Sequence, residues 1–354
     1  MSIQDILISV LGEDVPLRVT AYDGSSLGPA DAATHIRILS PDAMQRIVMA
    51  RGQEIGFARA IIAGEIEIEG DVFGLFDITD RVAAPKLDRN LIVGAASSLG
   101  VKSWRDLGRL RPLAPPPEEI KLEGRLHSRN RDAAAISSHY DVSNEFYELV
   151  LGRSMTYSCA VFDHEDDPLH LAQANKYDLI CRKIALEPGM RLLDIGCGWG
   201  SMAIHAARHF GVQVVGVTIS REQAELARKR VAEAGLTDQV EIRIQDYRDI
   251  GDGPFDAISS IGMAEHVGGA KELRTYFGQV AGLLKPDGRF LNHAISQAAT
   301  FEGQGKNGFI QRFVFPDGEL HEIGESITAM QEAGFEARHM ETFLLHYART
   351  LRPW

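Results

Sequence analysis

The segment DAISSIGMAEHVGG (256–269) begins as an apolar strand and ends with Glu265 and His266 side by side. A carboxylate and an imidazole at a strand end can orient a reactant or move a proton. The plainer reading is a helix N-terminus with an acid in its first turn. The Glu-His order, with no second histidine at helical spacing, excludes a zinc-protease motif, and no metal site is expected. A second segment with chemical potential is GCGWG, where Gly196, Gly198 and Gly200 follow the strand MRLLDIG (190–196) and its Asp194. Glycines let backbone approach a nucleotide closely, and the next helix offers unpaired N–H groups. The spacing is not G-x-G-x-x-G and no Walker lysine follows, so pyrophosphate binding is not indicated.

These residues need elements to hold them. Residues 132–354 alternate strands with helices, which predicts an α/β domain around a mostly parallel sheet. Strands are expected at 190–196, 212–219, 240–246, 256–262 and 288–296, with LLKPDG as a turn before the last. Ser220 and Gln223 form a capping box for the helix REQAELARKRVAEAG, which Gly235 ends. Residues 1–112 read as a small α+β unit. Its strand GEIEIEG (64–70) alternates, with Ile66 and Ile68 on one face and glutamates on the other. Val72, Phe73, Leu75, Phe76 and Ile78 form an apolar patch that fits either a core or a lipid-facing groove. No internal repeat is present.

The 354 residues, 45% hydrophobic and 24% charged, are those of an ordinary globular protein of two or three domains. Three cysteines without paired spacing (Cys159, Cys181 and Cys197) fit a reducing cytoplasm. The N-terminus lacks a basic region, so no signal peptide is expected, and no apolar run would span a membrane. A net charge of −12 argues against nucleic acid as a partner. Residues 101–131 nevertheless hold eight Lys/Arg against four Asp/Glu. The proline-containing stretch 113–131 is either a solvated basic linker or a patch for an anionic membrane surface.

LLDIGCGWGS resembles the cofactor loop of the seven-stranded S-adenosylmethionine-dependent methyltransferases. Where many of those enzymes end the second strand in an acid, this chain has GVTIS, with Thr218 and Ser220. Further blocks narrow the likeness. SSHYDVSNEFYELVLGRSMTYSCAVF (137–162), VTISREQ, IQDYRD, GMAEHVG, LLKPDGRFLNHAIS, FIQRFVFPDGEL and HYARTLRPW follow in fixed order. Together they resemble the cyclopropane-fatty-acyl-phospholipid synthases and the related mycolic-acid methyltransferases. The likeness is strong over 137–354 and weak over 1–112, where GEIEIEGDVFGLF is similar to the family's lipid-handling domain.

The resemblance implies a Rossmann-like seven-stranded sheet, its C-terminal strand missing because the family chain normally runs beyond Trp354, preceded by a small α+β lipid-handling domain. It implies one-carbon transfer from S-adenosylmethionine to the cis double bond of an unsaturated phospholipid acyl chain. A carbocation follows, for which Tyr140, Phe146, Tyr157, Phe309 and Tyr347 are candidate aromatic stabilisers. Bicarbonate is the implied base, at positions matching Cys159, Glu265, His293, Ile295 (through backbone) and Tyr347. Taken singly, Cys159 reads as a small buried hydrophobe, His293 as a core histidine and Tyr347 as packing. Cofactor contacts are expected from Tyr157, Ser158, Asp194, Gly196, Gly198, Gly200, Thr218, Gln223, Gln245, Asp246 and His266, with Asp246 also readable as a solvated strand-end acid. A different proton loss from the same carbocation would give a methylene branch needing a reductase partner. A homodimer and peripheral membrane association in the cytoplasm are further expectations. The competing readings are a methyltransferase acting on a small polar molecule and a lipid-binding protein without turnover.

Overall fold

The computed structural model describes residues 3–50, 54–78, 111–300 and 308–354, in two compact units. Residues 1–121 and 304–314 make the first; 122–303 and 315–354 make the second. Residues 101–110 of the basic stretch lie outside the described residues. Among the described residues no helix is long and apolar enough to cross a membrane.

In the first unit, helix α1 (Ile3–Leu11) precedes strands β1 (Arg18–Ala21), β2 (Ser26–Leu27) and β3 (Thr34–Ile38). Helices α2 (Pro41–Met49) and α3 (Glu54–Ile62) then lead to β4 (Ile66–Gly70). The sheet order is β2-β1-β3-β4, with β1 and β3 parallel and the outer pairs antiparallel. β4 alternates as its sequence requires: Ile66 enters the core, while Glu67 and Glu69 both accept from Arg37 of β3. Of the apolar patch, Leu75 packs on this core, but Val72, Phe73 and Phe76 are exposed.

The stretch 113–131 is not a uniform solvated linker, because side chains fasten its first part to the first unit. The buried Glu119 carboxylate accepts two 2.7 Å bonds from Arg59 and one of 3.2 Å from Arg312. Arg46 donates to the Ala114 carbonyl at 2.7 Å. The division between units therefore falls at Lys121, inside the stretch, and residues 308–314 return to the first unit. Beyond it, Arg129 and Arg131 pair with Asp249 and Asp317, so their charge is balanced within the second unit.

The second unit holds a parallel sheet of β5 (Arg191–Ile195), β6 (Gln213–Thr218), β7 (Val240–Ile244), β8 (Phe255–Ile261) and β9 (Leu284–His293), in the order β7-β6-β5-β8-β9. The expected seven strands are thus five among the described residues. β10 (Ser296–Gln297) and β11 (His321–Glu322) pair only with each other. Leu192, Leu193, Ile195 and Ile258 are fully buried, each contributing about 1.5–3 kcal/mol by burial. The LLKPDG turn lies within β9: Phe255 pairs with Leu284 and Ala257 with Arg289, so residues 285–288 loop out and Asp287 takes a φ of 64°.

Eight helices flank this sheet among the described residues: α4 (Arg129–Tyr140), α5 (Asn144–Leu151), α6 (Leu169–Lys183), α7 (Ser201–Phe210), α8 (Arg221–Glu233), α9 (Ala270–Leu283), α10 (Ile323–Glu332) and α11 (Leu344–Leu351). Only half of the expected capping box forms: Ser220 Oγ accepts from the Gln223 N–H at 3.1 Å, but the Ser220 N–H donates to Thr218 Oγ1 instead of to the Gln223 side chain. Strand order reverses between β5 and β8, and such a switch point opens a crevice at the carboxyl ends of the strands.

Candidate active site

That crevice is a cavity open to solvent. The turn after β5 forms its floor, with the Gly196 and Cys197 N–H groups both donating to the Val217 carbonyl of β6. Gly198 lines the cavity at a φ of 54°. Gly200 does not line it. Its φ is 79°, and a Cβ there would stand 3.2 Å from Ala227 Cβ, so this glycine lets α7 start against α8.

The other expected cofactor residues all line the cavity: Tyr157, Ser158, Asp194, Gly196, Thr218, Gln223, Gln245, Asp246 and His266. Asp194 is buried, and desolvation pushes its pKa up to about 6 although its carboxylate accepts from Ser259 at 2.7 Å. At the end of β6, Thr218 donates to the Gln223 side-chain carbonyl at 2.8 Å. Gln245 donates to the Asp249 carbonyl at 2.9 Å. Burial would raise the Asp246 pKa, but its bonds with Arg248 hold it below the usual carboxylate value. Asp246 is therefore ion-paired at the cavity wall rather than solvated. Burial alone takes His266 down to about 4, so its imidazole is neutral at pH 7.

The five residues grouped by resemblance around a base lie off this wall: Cys159 and Glu265 each adjoin a lining residue in sequence, His293 and Ile295 lie at and just past the end of β9, and Tyr347 lies within α11. Glu265 sits in a three-residue turn between β8 and α9, not in the first turn of α9. Its Oε1 accepts from the Ile295 N–H at 2.8 Å, while Oε2 is buried without a hydrogen-bond partner. Burial raises the Glu265 pKa despite that bond. His293, at the end of β9, also has an unpartnered buried atom, Nδ1, and burial lowers its pKa to about 4. The Cys159 thiol is pushed up to about 11 by burial, which makes it a neutral donor, and its Sγ lies 3.7 Å from the Phe343 carbonyl. That carbonyl also accepts from the Tyr347 N–H at 2.9 Å. Burial, then the charges of Glu265, Tyr157 and Cys159, raise the Tyr347 pKa.

The aromatic candidates divide. Tyr140 and Tyr157 line the cavity, with ring centroids 6.4 Å apart. Tyr347 connects through Trp354, which lies 5.0 Å from Tyr157. Phe146 is exposed, and Phe309 belongs to the first unit, where its N–H donates to Glu54.

Sequence reasoning missed Lys176 and Gln173 on α6. Ala172, Gln173, Lys176, Tyr177, Ile180 and Cys181 form its buried stripe. A lysine and a glutamine at core-facing positions of that period were the available signal.

The chain resembles known proteins in sequence and in fold. Residues 127–354 match the family model described as Mycolic acid cyclopropane synthetase. The chain is 44% identical over 350 residues to a probable fatty acid methyltransferase of Mycobacterium tuberculosis, covering 96% of this chain and 80% of that protein. It is 41% identical to the cyclopropane-fatty-acyl-phospholipid synthase of Escherichia coli, over 65% of this chain and 57% of that one. A mycolic acid cyclopropane synthase solved as a complex with SAH and CTAB superposes with a TM-score of 0.58 at 33% identity, covering 63% of this chain and 81% of that one. The chain belongs to the mycolic acid cyclopropane synthetase family of S-adenosylmethionine-dependent methyltransferases.

Proposed function

We propose that the protein adds the methyl carbon of S-adenosylmethionine to the cis double bond of an unsaturated phospholipid acyl chain and closes a cyclopropane ring. The observation that carries this reading is the pair of buried, unpartnered polar atoms, Glu265 Oε2 and His293 Nδ1, in the unit whose cavity has aromatic walls. The bound cofactor supplies an electrophilic methyl group. An alkene has no proton to remove before it attacks, so the chain's task is proximity and exclusion of water. Tyr140 and Tyr157 offer ring faces to positive charge developing on the acyl chain. The last step removes a proton from the added methyl, which requires an acceptor inside the site.

Glu265, His293, Cys159 and Tyr347 fit a small anion such as bicarbonate. Glu265 Oε2 would accept its hydroxyl proton, while the His293 ring, the Cys159 thiol and the Tyr347 hydroxyl would donate to it. Bicarbonate would supply the basic oxygen. The Ile295 N–H is engaged by Glu265, so its part is to hold that carboxylate in place. Exposed Val72, Phe73 and Phe76 in the first unit support contact with a lipid surface.

A second reading keeps the same alkene attack but ends in a methylene or methyl branch, with a reductase partner for the latter. It is favoured by the relative matched over 96% of this chain, which is named a fatty acid methyltransferase. Mass spectrometry of phospholipid acyl chains from an oleate-rich host, with and without the protein, tests both. A gain of one CH2 with ring fragmentation supports the first reading, and branch fragmentation the second. No gain overturns both.

A further inference from the structure

Two buried polar side chains on the core-facing stripe of α6 act on one residue of the cavity wall. Gln173 Nε2 donates to the Ser158 carbonyl at 2.9 Å, and Lys176 Nζ donates to Ser158 Oγ at 2.8 Å. Both side chains are almost wholly inaccessible, Gln173 at 0% and Lys176 at 3% exposure. Burying a lysine and a glutamine among apolar neighbours is costly unless the groups are used. Here Lys176 Nζ and Gln173 Nε2 both go to Ser158, while Gln173 Oε1 is buried without a hydrogen-bond partner.

The direction of the hydrogen bond has a consequence. In its charged form Lys176 has three donors and no acceptor, so Ser158 Oγ then accepts from it. The serine's own proton is then left to donate elsewhere, and no other hydrogen bond of this hydroxyl occurs among the described residues. Ser158, Lys176 and Asp194 line the same cavity. A donor backed by a buried cation selects an anionic ligand group. It disfavours a sulfonium or an ammonium, and S-adenosylmethionine carries one anionic group, the carboxylate of its amino-acid arm. Burial brings the Lys176 pKa down to about 7, with Cys159 and Asp194 opposing the fall, which a bound carboxylate would also oppose.

We propose that Gln173 and Lys176 are positioning residues that hold Ser158 as a hydrogen-bond donor to the carboxylate of the cofactor's amino-acid arm. This rests on the assignment of the cavity to S-adenosylmethionine and is independent of the lipid product.

Calorimetric binding of two probes to the full chain tests it: S-adenosylhomocysteine, which carries the arm, and 5′-methylthioadenosine, which lacks it. Lys176→Met should weaken S-adenosylhomocysteine about tenfold and leave 5′-methylthioadenosine within about twofold. Ser158→Ala should do the same, and the double variant should be no weaker than either single one. Gln173→Met, which suits a buried apolar stripe, should show the same arm-selective loss and carries the test if Lys176→Met fails to fold. Equal weakening of both probes, unchanged S-adenosylhomocysteine binding, or additive losses in the double variant would overturn the proposal. Failure of the unaltered protein to bind S-adenosylhomocysteine would overturn the cofactor assignment with it, whereas absence of lipid product alone would count only against the reaction proposed above.

Discussion

Glu265 and Ile295 are joined by a 2.8 Å bond from the backbone N–H after β9 to one oxygen of a carboxylate after β8, leaving the other oxygen buried and unpartnered. One bond thus ties the ends of two neighbouring strands and aims an unsatisfied acceptor. A buried oxygen in this condition costs about 1–3 kcal/mol, a cost expected at a functional site rather than in a core.

Glu265→Gln separates these roles. The amide keeps the shape, and its oxygen can still accept from Ile295. Cofactor affinity should therefore change little, while turnover should fall at least about 100-fold. Calorimetry with S-adenosylhomocysteine alongside a turnover assay checks this. Unchanged turnover would remove Glu265 from the chemistry.

Gly200→Ala should destabilise the second unit more than Gly235→Ala. Both glycines have positive φ, 79° and 69°, so each substitution carries about 1–2 kcal/mol of backbone strain. Only at Gly200 does the new Cβ also crowd Ala227 at 3.2 Å, whereas nothing lies within 4 Å at Gly235. Thermal melts of the two variants give the comparison, and equal shifts would contradict it.

Mild acid should destabilise the protein in part through His205, which lies apart from the cavity wall. Burial and then neighbouring His209 take its pKa down to about 4. Between about pH 6.5 and pH 4 the unfolded chain binds the extra proton, so stability falls as pH falls, by up to about 3 kcal/mol. His266 and His293 act in the same direction; Asp194 and Glu265, with raised values, act against it. His205→Asn should lessen the drop in melting temperature between pH 7.5 and pH 5. An unaltered drop would show that His205 titrates normally.

Glu119→Gln should loosen the first unit. It replaces a buried carboxylate held by Arg59 and Arg312 with a group that cannot match both guanidinium groups. A loss of about 1–3 kcal/mol is expected. Hydrogen exchange should rise in α3 and β4 and stay unchanged in β5 and β8.

The strands of the second unit were legible because parallel strands buried on both faces read as apolar runs, as LLDI and VVGVT do. The glycine turn and the Ser220 cap were legible because local backbone chemistry demands those residues. The start of β9 was not, because residues 285–288 have turn composition yet lie inside the strand as a bulge. The attachment of Leu113–Lys121 was hidden too. Arg59 and Glu119 are sixty positions apart, and ion pairs over such distances leave no periodic trace. Lys176 was missed for the opposite reason: the period was visible, but a charged residue on a core stripe is ordinarily discounted.

Transfer from S-adenosylmethionine bearing a fully deuterated methyl group to vesicles of dioleoyl phospholipid tests the central claim most directly. Alkene attack followed by proton loss from the added carbon predicts acyl chains that retain two of the three deuterium atoms. Retention of all three, or label absent from lipid while S-adenosylhomocysteine binds, would contradict the account.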